Sequence, residues 1–593
     1  MGERRMRGRN RDHDGPVTIL RPDEDHDLAC ASRARHMVVV APPGTGKTCL
    51  SVRLAGTITP SLTPSERVLL VTFSNQARVQ LEHEAARQLH PITRQRVEVT
   101  NYHRFFWRAV LAYRRALGLP LDVRIGSRQR RLKALREADA QAVGRLRKQQ
   151  GLLDALAEHR FEGFRDDRTP PQDRLDRLLA AVEQEQRAGR LVFDDLGTLV
   201  WQLFESFPAI AAAYRARYPV VIADEHQDAS ELQDAFVRRL GHRRLIILAD
   251  PMQLIYGFRG SKPERLERHI HESDEWFELT TPHRWHENQR VGRWLLAVRA
   301  RLQGGSDDEG AASPPSLRIE RTQATRGLNA MKPLVKTAAA QAFRSGAPTV
   351  AVLAAWNKDV AALRAYLSKE GLYPRQLGGA EDFEEACEDI EQLPLYTDAE
   401  SVASHAVDRV KGLVPTLNNA VVEQVRRRLL ADRVNLGGNC GAEAAGLLRA
   451  LEPLYQHGIG QYVNSVVAAL GACREQGHHL PRVEAVRALR ATAQSSSSNG
   501  VELDAVLALY AENVVRASQA APRLNRGLFV MTAHQAKGKE FAVVIIVNAS
   551  TRHFPDDKEG RRLFYVAITR ASEAWVVIAP DEGASPLLEH LRG

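Results

Sequence analysis

Cysteine is scarce in this chain of 593 residues, and the five present stand apart: Cys30, Cys49, Cys387, Cys440 and Cys473 form no CxxC pair and no Cys/His cluster. Such spacing argues against a zinc site, an iron–sulfur cluster or a disulfide framework, and fits a reducing cytoplasm. Long apolar runs are missing too. None approaches the roughly 20 residues that cross a bilayer, so a soluble protein with no membrane partner is expected. Residues 1–16 are rich in arginine and lack the apolar stretch of a signal peptide, and read as a basic disordered arm. No repeat of solenoid period is found.

What is present is length and positive charge. A chain of 66.0 kDa is too long for one core, so two to four domains are expected. The net charge of +10 and pI near 9.4 favour a polyanionic partner, without separating nucleic acid from an anionic surface. The charge is uneven: residues 108–190 hold 19 Lys and Arg against 12 Asp and Glu, and residues 124–148 hold nine against two. Leu132, Leu135, Val143 and Leu146 recur there at helical spacing. Residues 303–316 and 494–500, rich in Gly, Ser and Pro or in Ser, read as loops or hinges, and residues 378–525 read as mostly helical.

Short β-branched runs at 68–73, 220–223, 245–249, 349–353 and 543–547, separated by helical stretches, give an α/β class with parallel strands, grouped into two sheets. The run 37–40 leads into Ala41-Pro42-Pro43-Gly44-Thr45-Gly46-Lys47-Thr48, a strand turning through glycines into a helix start. Backbone N–H groups can surround a polyphosphate there because no Cβ intrudes. Lys47 would reach the β and γ phosphates and the Thr48 hydroxyl would ligate Mg²⁺, although Ala41 stands where such a loop has its first glycine. Asp224 and Glu225 end the apolar run 220–223, where a P-loop ATPase needs one carboxylate for Mg²⁺ and another for the attacking water.

Asp224-Glu225-His226-Gln227-Asp228 resembles the DExQD box of superfamily 1A helicases of the UvrD/Rep type, and further segments resemble that family's other motifs in order. They are residues 71–77 (motif Ia), 100–103 (Ib), Phe193-Asp194-Asp195-Leu196 (FDDL), 249–260 (III), Pro282-His283-Arg284 (IV), 531–541 (V) and 561–571 (VI).

The resemblance implies two RecA-like parallel-sheet P-loop domains with two mostly helical insertions. Domain 1A would comprise residues 17–107 and 191–265, insertion 1B residues 108–190, domain 2A residues 266–377 and 526–593, and insertion 2B residues 378–525. It implies ATP and Mg²⁺ held by Gly44, Thr45, Gly46, Lys47, Thr48 and Asp224. Glu225 and the phosphate-sensing Gln253 would join them, with Arg284 and Arg570 as arginine fingers, His283 against the base and Glu540 on the ribose. Phe73, Thr100, His103, Tyr256, Phe258, Arg259, Thr532 and His534 would meet single-stranded DNA or its junction with duplex.

The implied activity is 3′ to 5′ DNA translocation and unwinding in repair, recombination or phage defence, in the cytoplasm or on a nucleoid. A separate nuclease or repair protein is a candidate partner. A DNA-stimulated regulatory ATPase and, more remotely, a P-loop enzyme acting on a small molecule are the alternatives. The chain departs from the family pattern at the adenine end. No glutamine stands within residues 20–29, where His26 and Glu24 are nearest; His283 replaces a tyrosine, and Phe258 a tryptophan.

Overall fold

The computed structural model describes residues 24–121, 123–125, 128–146, 156, 171–255, 263–305, 311–323, 327–375, 393, 399–414, 416–431, 441–454, 459–478, 480, 483–495, 506, 509–510, 513 and 526–592. The expected basic arm, parts of residues 378–525 and the candidate DNA residues Tyr256, Phe258 and Arg259 lie outside them. In chain order the strands are β1 (His36–Val40), β2 (Val68–Thr72), β3 (Val97–Asn101), β4 (Arg124–Ile125), β5 (Arg190–Leu191), β6 (Val220–Ala223), β7 (Arg244–Ala249), β8 (Glu275–Glu278), β9 (Leu317–Thr322), β10 (Thr349–Ala354), β11 (Gly527–Thr532), β12 (Phe541–Val547) and β13 (Ala571–Pro580).

Two larger sheets result, as the grouping of apolar runs implies. The first has six strands in the order β3-β2-β6-β7-β1-β8; the second has five, of which β12 and β13, and β13 and β9, pair in parallel. β4 and β5 form a separate ribbon. Helices lie between the strands because a parallel strand needs a long crossover. Alternate residues of β1 enter different cores: Met37 and Val39 pack with Leu50 and Leu54, Val38 with Phe105, Phe106 and Phe236. A sheet covered on both faces is why these strands read as unbroken apolar runs.

The register places the site. Val40 lies opposite Ala249 and Ala223 opposite Ile247, so β1, β7 and β6 end at one rim. Open α/β sheets bind ligands beyond such carboxyl ends.

The chain divides into two compact units, Met1–Ala338 with Leu353–Asn357 and Met531–Gly593, and Ala339–Val352 with Lys358–Val530. The second is mostly helical, with helices Ala399–Leu413, Asn419–Ala431, Ala442–Leu451, Tyr462–Glu475 and Val483–Ser495. Among the described residues no helix is long and apolar enough to cross a membrane, and Cys30, Cys49 and Cys473 form no disulfide.

The basic stretch is helical where it is described. Helix Arg128–Leu146, kinked at Asp139, packs Leu135 and Val143 against Leu175, Leu178 and Val182 of helix Gln172–Arg187. One of its cations is internal. Buried Arg131 donates to both carboxylate oxygens of Asp195 at 2.9 and 2.8 Å, and Asp195 also accepts from Gln186 and from the Val192 N–H. The FDDL segment thus anchors the helical pair. Breaking a buried pair strands a charge, so Asp195→Ala is expected to cost about 3–5 kcal/mol. Thermal unfolding reads this directly, and a melting temperature within a degree of wild type would refute the anchor.

Candidate functional site

The phosphate-cradle segment takes its shape from two glycines. Gly44 (φ 80°) and Gly46 (φ 79°) are both left-handed, a region that L side chains avoid. A Cβ on Gly44 would lie 2.5 Å from Trp285 Cζ3, and the Gly44 carbonyl accepts from the Arg284 N–H at 2.9 Å. Ala41, in contrast, is not left-handed. It continues β1, its N–H donating to Ala249 O at 2.9 Å, so the substituted glycine costs the loop nothing. Helix Lys47–Ile58 starts directly after Gly46, with Thr48 half-buried in its first turn.

Lys47 is nearly buried and points at the end of β6, with Nζ 2.5 Å from Glu225 Oε1 and 3.9 Å from Asp224 Oδ1. Glu225 has φ 56°, one of two left-handed non-glycine residues among those described. Such a conformation costs on the order of 1–3 kcal/mol and persists only where the surroundings enforce it. Burial pushes Asp224 above the usual carboxylate range. Burial acts on Glu225 in the same sense but is outweighed by Lys47 and Lys537, which hold its carboxyl below that range. Asp224 Oδ1 is buried with no hydrogen-bond donor among the described residues.

A chain of hydrogen bonds runs from this pair to the end of helix Lys558–Ile568. Gln227 Nε2 donates to Glu225 Oε2 at 2.6 Å, and its Oε1 accepts from the Asp250 N–H at 3.1 Å. Asp250 Oδ2 accepts from Gln253 Nε2 at 3.0 Å, and Gln253 Oε1 accepts from Arg570 Nη2 at 3.3 Å. Arg299 fixes Asp250 from behind through a fully buried ion pair of 2.6 Å. Lys537 fixes the other side, 2.5 Å from Asp228 Oδ2 and donating to the Gln253 carbonyl.

Arg570 itself is buried, with further bonds to Val566 O at 2.9 Å and Thr569 Oγ1 at 3.0 Å. Burial, and next the neighbouring Arg284, lower its pKa to about 10, so it stays charged at neutral pH. Arg284 donates to Thr569 O at 3.0 Å and pairs with the half-exposed Glu540.

At the other end of the loop, His26 occupies the stretch that lacks a glutamine. Its Nε2 lies 3.0 Å from Thr45 O, and its ring is 5.2 Å from that of His283 at 57°. A Cβ on Gly46 would meet both rings, at 2.9 and 3.3 Å. Two imidazoles therefore wall the loop where the family pattern puts a glutamine and a tyrosine.

The structure thus brings Gly44, Thr45, Gly46, Lys47, Asp224, Glu225, Gln253, His283, Arg284, Glu540 and Arg570 around one rim. Of the candidate DNA residues, Phe73 and His534 are half-buried, and His103 is exposed with its ring 5.4 Å from that of Phe193. Thr100 is buried, its hydroxyl donating to Asn101 O, and Thr532 is buried as the N-cap of helix Ala533–Ala536. Those two side chains shape turns and do not face solvent. Sequence reasoning passed over Gln227, Asp250, Lys537 and Arg299. The first three lie inside the family motifs, whereas Arg299 sits in helix Gln289–Leu302 and carries no local signal.

Residues 23–274 match the UvrD/REP helicase N-terminal domain, and residues 483–581 match the UvrD-like helicase C-terminal domain. The chain is 24% identical to DNA helicase II of Salmonella typhimurium and of Escherichia coli, in each case over 93% of this chain and 83% of the relative. It is also 24% identical to the ATP-dependent DNA helicase UvrD1 of Mycobacterium tuberculosis, over 68% of this chain and 61% of that one. With an N-terminal and a C-terminal family domain matched in order, and both contributing residues to this rim, the chain belongs to the UvrD/Rep-type helicase family.

Proposed function

We propose that this chain couples ATP hydrolysis to 3′ to 5′ movement along single-stranded DNA and to unwinding at its junction with duplex, in DNA repair or recombination. The supporting observation is the unbroken hydrogen-bond path from Glu225 to Arg570, which ties the hydrolytic carboxylate to a buried cation from a distant part of the chain. In this reading Lys47 and the loop N–H groups hold the phosphates and Glu225 orients the attacking water. Gln253 senses the γ phosphate, while Arg284 and Arg570 take up charge as it develops there. His283 would lie against the base, beside His26, and Glu540 on the ribose.

The orphaned Asp224 oxygen suits a divalent cation. Thr48 and Asp224 would hold Mg²⁺, which neutralises phosphate charge when bound. Phe73, His103, Tyr256, Phe258, Arg259 and His534 are the proposed DNA contacts, with Thr100 and Thr532 acting through the turns they shape. The net charge of +10 supports such a partner.

The test is ATP turnover with and without single-stranded DNA, beside strand displacement on duplexes carrying a 3′ or a 5′ tail. Turnover is expected to rise about tenfold or more with DNA, an enhancement equivalent to about 1.4 kcal/mol, and only the 3′-tailed duplex should be displaced. Stepping without displacement would make the chain a regulatory ATPase. Turnover indifferent to DNA would point to a small-molecule substrate.

A further inference from the structure

Behind Glu225 lies a polar network that the ATP site does not use. Tyr102, His226, Asp234 and His269 are all buried. His226 Nε2 lies 3.0 Å, and His269 Nε2 2.5 Å, from Asp234 Oδ1. Tyr102 Oη is 3.1 Å from His226 Nδ1. An ionised Asp234 takes the Nε2 proton of His269, whose Nδ1 then faces His36 Nε2 at 3.0 Å and Arg238 Nη2 at 3.2 Å. It likewise takes the Nε2 proton of His226, leaving Nδ1 to accept from the Tyr102 hydroxyl.

The charges agree with this assignment. Burial pushes Tyr102 above the usual phenol range, so its hydroxyl stays protonated. Burial also lowers His269, to about 4, so its ring is neutral. Burial would raise Asp234, but its hydrogen bonds from His226 and His269 outweigh that and hold it far below the carboxylate range.

The two histidines and Asp234 could be read as a metal site, since their ligand atoms lie within 4.8 Å of one another. The surroundings oppose it. Asp234 Oδ2 is already held by Arg238 at 3.0 Å and Arg268 at 2.9 Å, so a dication would sit among guanidinium groups, and the network is satisfied as it stands.

What distinguishes the network is what it joins. His226 directly follows the left-handed Glu225 and opens the short turn His226–Asp228. Tyr102 is the first residue of helix Tyr102–Tyr113, between the candidate DNA residues Thr100 and His103. His269 lies on helix Pro263–Glu272, the element that follows Tyr256, Phe258 and Arg259 in the chain. Asp234, on helix Glu231–Leu240, is the hub between them.

We propose that the Tyr102–His226 hydrogen bond is a positioning contact through which DNA on the segment around His103 sets the Glu225 carboxylate for hydrolysis. This rests on the reading that single-stranded DNA binds there and stimulates ATP turnover. Displacement of the helix start moves the hydroxyl; the ring it holds moves the neighbouring Glu225, whose backbone has little freedom of its own.

The experiment measures ATP turnover of the full-length protein over a titration of oligo(dT), for wild type, Tyr102→Phe, His226→Gln and the double variant, with His103→Ala as the DNA-contact control. Tyr102→Phe is expected to cut maximal DNA stimulation about fivefold, the weight of one hydrogen bond. Basal turnover and the half-saturating DNA concentration should stay unchanged, and Tyr102→Phe should have no further effect on the His226→Gln background. His103→Ala should instead raise the half-saturating concentration. Stimulation equal to wild type in Tyr102→Phe, or additive effects in the double variant, would overturn the relay while leaving the DNA reading intact. A wild-type enzyme that DNA does not stimulate would overturn both.

Discussion

Arg570→Ala is expected to lower maximal ATP turnover by about 10³-fold or more, the scale of an arginine finger, with ATP affinity changed only a few-fold. Four bonds to Val566, Lys539, Thr569 and Gln253 hold the guanidinium before any nucleotide arrives. A donor fixed in advance costs no reorganisation when charge develops, and its effect is therefore concentrated in the transition state. Arg570 also closes helix Lys558–Ile568 by donating to Val566 O, so the variant should lose about 1 kcal/mol of stability as well. That loss is too small to account for the turnover.

Arg570→Lys separates charge from geometry. An ammonium can meet one of these acceptors but not Gln253, Thr569 and Val566 together, so turnover should remain at least about 10²-fold down. Substantial turnover in either variant, measured on protein of near-native melting temperature, would reduce Arg570 to a helix cap. Gln253→Ala should behave like a weaker Arg570→Ala, because it removes the link to Asp250 and leaves the arginine in place.

Much of this rim is legible in the chain because its chemistry is local. A phosphate cradle needs glycines at fixed offsets, and a strand buried on both faces must be an unbroken apolar run, so β1, β2, β6, β7, β10 and β12 stand out from the order of residues alone. Strands β3, β8 and β9 do not. They interleave Glu, Arg and Thr with apolar residues, as in Val97–Asn101 and Leu317–Thr322, and their strand character comes from the neighbour they pair with.

The candidate site divides in the same way. Lys47, Asp224 and Arg570 announce themselves by motif. Arg299, some 49 positions from Asp250, has a role that only the fold reveals. Arg131 shows the opposite case. It counts towards the excess of basic residues over 124–148, yet it is an internal partner of Asp195. Charge density in sequence measures cations without saying which way they face. The vacant glutamine position is a third case. His26 fills it by packing on the loop backbone, a contact that composition cannot foretell.

Lys47→Ala is expected to reduce turnover below detection, by about 10³-fold or more on the scale of lost electrostatic stabilisation in a buried site, while single-stranded DNA binding stays within about twofold of wild type. The geometry says why one side chain matters so much. Lys47 lies 2.5 Å from the partly buried Glu225 and 3.9 Å from the buried Asp224, two carboxylates whose repulsion it offsets. A polyphosphate entering this rim brings further negative charge, and without the ammonium it would face both carboxylates with no cation between. The loss should therefore appear in ATP binding as well as in turnover, unlike that of Arg570→Ala. Lys47→Arg should not restore activity. The larger planar group must fit where the lysine side chain is only 9% exposed and its ammonium already 2.5 Å from Glu225. Fluorescence anisotropy with a labelled oligonucleotide checks the DNA arm and a coupled phosphate-release assay the other. Measurable turnover in Lys47→Ala would remove this loop from the catalytic centre, whereas joint loss of turnover and DNA binding would mean that the substitution had unfolded the rim and not merely emptied it of charge.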